Sequence, residues 1–137
     1  MSVIESLIIP VSIHTKILSN MEKHLPEEAC GLITGKGNLA GHHFPITNQL
    51  HSPYKFQMNG SEMLKVFDWA EKHGQILLAI YHSHPNGPEY PSPSDLEEDY
   101  YPDVIKLIGF MESFKWELRA YHQIQSGYIR IPLVIKS

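Results

Sequence analysis

Apolar positions along the chain recur with two periods, and the switches between them outline the elements. SLIIP, Ser6 to Pro10, reads as a short strand. After it Ile13, Ile17, Met21 and Leu25 recur at four-residue spacing, which predicts a helix buried on one face and ending at Pro26. CGLITG, Cys30 to Gly35, is a strand closed by the glycines of GKGN. Its hairpin partner is expected in the residues before Pro45, with a further strand near Tyr54 to Met58. From Ser61 to Gly74 the positions Met63, Val66, Phe67 and Ala70 keep helical period, with Asn59 or Ser61 as cap and Gly74 as stop. ILLAIYH, Ile76 to His82, is a nearly continuous apolar run, as expected of a central strand covered on both faces. VIKLIGFM, KWELRAYHQI and YIRIPLVIK supply three more strands, with a turn at Gln125 to Gly127. The pattern predicts an α/β fold, a single mixed-sheet domain flanked by helices over residues 1–137.

Composition narrows the function classes. The chain has 137 residues, 42% of them apolar and 19% charged, enough for one core. A net charge of -4 without a Lys/Arg block argues against a nucleic-acid partner recognised mainly through its phosphates. MSVIESLIIPVSIHTKILSN has neither a basic start nor a long apolar run, and no later stretch reaches the ~20 apolar residues of a membrane span, so a cytoplasmic location away from membranes is expected. The lone cysteine, Cys30, has no internal disulfide partner, in keeping with a reducing compartment.

The chemistry concentrates after the central strand, in YHSHPNGPEYPSPSD, Tyr81 to Asp95. If that strand runs on through His84, His82 and His84 share a face while Ser83 points away, so two imidazoles converge on one ion. Seven residues, rich in proline and glycine, separate His84 from Ser92, and Asp95 follows three beyond it, so the chain can reverse and return a carboxylate to the histidines. Two imidazoles and one carboxylate leave the fourth position of tetrahedral zinc open, as in catalytic rather than structural sites. A purely local explanation coexists: Ser92 as N-cap, Pro93 at the first helical position and Asp95 at the third form a capping box leading into LEEDYY. With nine histidines in the chain, His-x-His is weak evidence alone, and His14, His24, His42, His43, His51, His73 and His122 read as surface or core residues.

A second stretch, LPEEACGLITG, makes the pattern specific. Glu28-Ala-Cys-Gly-Leu, followed at long range by His82-x-His84, seven residues, Ser92, two residues and Asp95, resembles the signature of the JAMM, or MPN-plus, metalloprotease family. The order of elements resembles that family's cytidine-deaminase-like domain over nearly the whole chain. The resemblance implies zinc on His82, His84 and Asp95, Glu28 as general base, and Ser92 as a donor to the oxyanion of the tetrahedral intermediate. Glu27 competes with Glu28 by proximity; adjacent residues of an extended segment face opposite ways, and the Glu-x-Cys-Gly match favours Glu28. Cys30, on the Glu28 side by period two, reads as a packed small residue. The resemblance further implies hydrolysis after the C-terminal Gly-Gly of a prokaryotic ubiquitin-like or sulfur-carrier protein. The chain resembles members lacking the long insertions that hold a second ubiquitin. Two alternatives stand beside this: a phage-tail or cell-wall endopeptidase, and a non-catalytic MPN or RadC-like assembly module.

Overall fold

A computed structural model describes residues 5–97, 100–125 and 127–137. The elements in order are β1 (Leu7–Pro10), α1 (Val11–Lys23), β2 (Cys30–Lys36), β3 (Leu39–Ile46), α2 (Gly60–Lys72), β4 (Ile76–His84), α3 (Pro93–Glu97), β5 (Ile105–Glu112), β6 (Lys115–Ile124), β7 (Gly127–Ile131) and β8 (Leu133–Lys136). They form one mixed sheet in the order β7-β6-β5-β4-β2-β3-β1-β8. β4 lies near its middle, antiparallel to β2 and parallel to β5, as its apolar run requires.

Residue parity along β4 divides the core. Ala79 and Tyr81 face a cluster with Ile13, Ile17 and Met21 of α1, together with Leu107, Leu118 and Ala120. Ile80 faces the opposite layer, with Cys30, Leu32 and Val66 of α2. Full burial of side chains such as Ile17 and Met21 contributes about 1.5–3 kcal/mol each. The Met21 side chain of α1 reaches across to β5: a Cβ at Gly109 would sit 2.2 Å from its sulfur, so any larger residue there requires the thioether to move. Helix α2 starts where expected, with the Asn59 side chain accepting from the Glu62 amide.

Three expectations are corrected. The first helix ends at Lys23, and Leu25 lies beyond it and is 41% exposed, so the four-residue spacing outruns the helix by one position. No strand spans Tyr54 to Met58; only an isolated bridge joins Met58 to Asn48, and the Asn48 side chain takes over the backbone groups that a ladder would pair. YIRIPLVIK is two strands. Pro132 breaks the run, β7 continuing the sheet from β6 while β8 pairs parallel with β1 at the far end of the strand order. The sheet is therefore curled until its two edge strands are joined by a single residue, with α1 packed against β1, β3, β6 and β8. The strand boundaries from Cys30 to Gly35 and in β5 and β6 fall within a residue or so of expectation. The turn at Gln125 to Gly127 and the LEEDYY segment each include residues outside those described, Ser126 in the first and Glu98 and Asp99 in the second.

Candidate metal centre

Strand β4 does run through His84, so His82 and His84 lie on one face, both about 4% exposed. Their Nε2 atoms face each other at 3.0 Å. Asp95 Oδ2 lies 3.1 Å from Nε2 of His82 and 3.2 Å from Nε2 of His84, so one carboxylate oxygen bridges the pair. His84 Nδ1 donates to the Pro88 carbonyl at 2.6 Å, which in the neutral ring leaves Nε2 with a lone pair directed at the centre and in the protonated ring lets it donate to Asp95. The Phe56 ring stacks on His82 at 4.3 Å between centroids.

The proline-rich turn returns the chain as the spacing requires, and the capping box is present with it. The Ser92 amide donates to Asp95 Oδ2 at 2.7 Å, and the Asp95 amide donates to Ser92 Oγ at 3.1 Å. The short helix α3 thus fixes Asp95 from behind while the same oxygen faces both histidines. Ser92 Oγ is also 3.0 Å from Ser94 Oγ, and its proton is free to turn toward either Ser94 or a group entering the site.

Glu28 arrives on the segment that leads into the neighbouring strand β2. Cys30 pairs with His82 in the antiparallel register of β2 and β4, the Ser83 amide donates to the Ala29 carbonyl at 2.9 Å, and Ser83 Oγ accepts from the Ala29 amide at 2.8 Å. That register carries Glu28 to the level of His84. Ligand atoms of Glu28, His82 and His84 lie within 4.8 Å of one another, and Glu28 is 3% exposed with its Oε1 buried and without a hydrogen-bond partner. Glu27 faces away, with its carboxylate 3.1 Å from the exposed His51.

The electrostatics separate the two carboxylates. Burial pushes the Glu28 carboxyl up to about 8; His84 opposes the rise and Asp95 adds to it. Burial acts in the same direction on Asp95, but hydrogen bonding with His82 and His84 overcomes it and holds this carboxyl well below the usual range. Burial lowers His82, whereas for His84 the bonds to Asp95 and Pro88 outweigh burial and raise it. The donors suit a borderline divalent ion: two imidazole nitrogens converging at 3.0 Å, an ionised carboxylate oxygen on both, and a buried carboxylate oxygen otherwise unpartnered. These residues form a possible metal site.

Cys30 is a packed thiol. Its Sγ donates to the Ile46 carbonyl at 3.3 Å, and burial pushes the thiol up to about 12, which removes it as a nucleophile. Of the remaining histidines, His43 is half-buried and bonded to the Tyr81 hydroxyl at 2.7 Å, and none joins the centre. Sequence reasoning missed Phe56, because the stretch around it was expected to be a strand, and Asn48, whose role is carried entirely by tertiary contacts. It also missed the cleft of about 450 Å³ beside His82 and Asp95, lined by Phe56, Met58, Met63, Tyr101 and Ile108 from four separate segments.

The chain is similar to known proteins over most of its length. The CysO-cysteine peptidase of Mycobacterium tuberculosis is 28% identical over 130 residues, 93% of this chain and 89% of that protein. The desampylase of Pyrococcus furiosus is 41% identical over 81 residues, 59% of this chain and 58% of that protein. A Desulfitobacterium hafniense protein solved in solution superposes with a TM-score of 0.86 at 26% identity, covering 96% of this chain and 93% of that one. Residues 10–119 match the model for prokaryotic homologs of the JAB domain. That span contains Glu28, both histidines, Ser92 and Asp95, and the chain belongs to this family of prokaryotic JAB domains.

Proposed function

We propose that this chain is a zinc-dependent hydrolase cleaving the amide or isopeptide bond after the C-terminal Gly-Gly of a ubiquitin-like or sulfur-carrier protein, releasing an amino acid or a protein. The observation that carries it is the convergence of Asp95 Oδ2 on both imidazoles at 3.1 and 3.2 Å, with a second, buried carboxylate at Glu28 beside them. His82, His84 and Asp95 hold the ion. Zinc bound there supplies Lewis acidity, polarising a carbonyl and making water acidic near neutral pH.

The remaining chemistry belongs to the chain's own groups. Glu28 has no competing hydrogen bond at Oε1 and takes the proton of the attacking water, then returns it to the leaving amine. Ser92 turns its hydroxyl proton from Ser94 to the developing oxyanion, which is worth a few kcal/mol where such donors have been removed elsewhere. Asp95 stays ionised throughout, held by the same contacts that set its position. The names of the relatives, a CysO-cysteine peptidase and a desampylase, support a peptidase of this type. A cytoplasmic site of action belongs to the same proposal; among the described residues no helix is long and apolar enough to cross a membrane.

The experiment is a pair of carrier fusions, one ending Gly-Gly-X and one Ala-Ala-X, incubated with the zinc-loaded protein. Cleavage after the second glycine, absent from the alanine fusion, is expected, because residues without side chains let the substrate backbone pass closest to the metal loop. Equal cleavage of both, or turnover of a wall peptide with neither fusion cleaved, would overturn the carrier substrate in favour of an endopeptidase.

A further inference from the structure

The segment between β3 and α2 has almost no ladder of its own, yet it forms one wall of the centre. Its anchor is a single buried amide. Asn48, 6% exposed, donates from Nδ2 to the Glu28 carbonyl at 3.1 Å and to the Lys55 carbonyl at 3.0 Å. Its Oδ1 accepts from the Leu50 and Gln57 amides, each at 3.1 Å. A primary amide offers two donor hydrogens and two lone pairs, so these four bonds use its full capacity. Two of the partners, Lys55 and Gln57, bracket Phe56, whose ring lies on His82. A third is Glu28 itself, whose own amide donates to the Ser52 carbonyl of the same segment at 2.8 Å.

We propose that Asn48 is a positioning residue for the reaction: through its four bonds it holds the Glu28 backbone and the Phe56 ring in one fixed arrangement around the histidine pair. This deepens the hydrolase function proposed above and rests on it. Side-chain amides that satisfy several buried backbone groups at once leave all of them unpaired when truncated, and misplacement of a base by about 1 Å costs about 100-fold in rate in well-aligned sites. Asn48 neither belongs to the cluster of ligand atoms nor lines the adjoining cleft, so its effect on turnover passes through Glu28 and Phe56.

The test combines hydrogen exchange with kinetics on the full chain. In Asn48→Ala, exchange at the Leu50, Gln57 and Glu28 amides is expected to quicken by about tenfold or more, while the Ser83 amide, bonded to Ala29, keeps its protection. On the Gly-Gly-X fusion, kcat per folded, zinc-loaded molecule is expected to fall about tenfold or more with KM changed by less than about threefold. In a Glu28→Gln background the same substitution should lower turnover by at least about threefold less than it does in the parent, because one of the two groups it positions is already gone. Asn48→Asp separates the two halves of the anchor and carries the test if the alanine variant fails to fold. It keeps acceptors for Leu50 and Gln57 but loses donation to the Glu28 and Lys55 carbonyls, so protection should be retained at those two amides and reduced at the Glu28 amide, whose bond to Ser52 depends on the segment that Asn48 ties to Glu28. An unchanged Glu28 exchange rate, or a lower melting temperature with kcat per folded molecule unchanged, would overturn the proposal. A parent that cleaves no fusion overturns the carrier substrate instead, and the exchange rates then decide alone whether Asn48 holds Glu28.

Discussion

Gly31→Ala tests how the sheet is braced directly behind the histidine pair. Gly31 pairs with Tyr81 across β2 and β4, and a Cβ built there would sit 2.3 Å from Cε2, 2.6 Å from Cζ and 2.7 Å from the hydroxyl of Tyr81. The ring cannot simply move aside. It is fully buried, and its hydroxyl is fixed at 2.6 Å from Asn20 Nδ2 and 2.7 Å from His43 Nε2. Restoring ordinary contact needs a shift of more than about 1 Å, and overpacking of this kind costs about 1–3 kcal/mol. Moving the ring also breaks two buried hydrogen bonds at roughly 1 kcal/mol each, for a sum of about 3–5 kcal/mol. At ~2.1 cal/mol/K per residue the unfolding entropy of a 137-residue chain is about 0.29 kcal/mol/K, so the expected fall in Tm is about 10–17 °C. Thermal unfolding followed by circular dichroism at pH 7.5 measures it. A Tm within about 2 °C of the parent would refute the close packing of Tyr81 on β2. Tyr81 points away from His82, so the molecules that remain folded should still bind zinc one to one.

Three further outcomes are expected. Glu28→Gln keeps fold and bound zinc but lowers kcat by about 100-fold or more, since the amide is nearly isosteric and accepts no proton; full activity would move the base elsewhere, with Glu27 next in line. Asp95→Ala weakens zinc binding in a chelator competition by about 100-fold or more, because the bridging oxygen on both histidines is removed; affinity equal to the parent's would exclude Asp95 as a ligand. Burial lowers His43 from 6.5 to about 4, with Lys16 adding to the effect, so the unfolded chain binds its proton first. Stability from this group is present above about 6.5 and lost as pH falls toward about 4, a loss on the order of 1–2 kcal/mol after solvent screening, and chemical denaturation at pH 7.5 and 4.5 should show a smaller difference in His43→Gln than in the parent.

The fold was legible wherever one period held over a whole element. β4 reads as a central strand because its apolar run has no polar face to expose, and it lies near the middle of the sheet with buried layers on both sides. Helix α2 reads from its cap and its stop because both are local chemistry. The errors fall where tertiary contacts override local pattern. The strand expected at Tyr54 to Met58 fails because the Asn48 side chain satisfies Lys55 and Gln57, a partnership that no periodicity records. The last strand was misread because Pro132 permits the chain to leave one sheet edge and join the other, a consequence of curvature accumulated over all eight strands.

The centre was more legible than the fold around it, for a physical reason. Histidines two apart on a strand must share a face, a capping box must place its acidic residue at the third helical position, and both constraints act within a few residues of chain. The sequence therefore carried His82, His84, Ser92 and Asp95 as one local unit. Glu28 lies far away in sequence, and its place depends on the pairing of Cys30 with His82; only the Glu-x-Cys-Gly resemblance pointed to it. What sequence could not supply was the reason Glu28 stays put. Its carbonyl and amide are held by Asn48 and Ser52, and Ala29 is held by Ser83, so Glu28 is fixed through its backbone while its Oε1 is left without a partner. A carboxylate held this way suffers the cost of burial without losing its capacity to accept a proton, which a salt bridge at Oε1 would have removed.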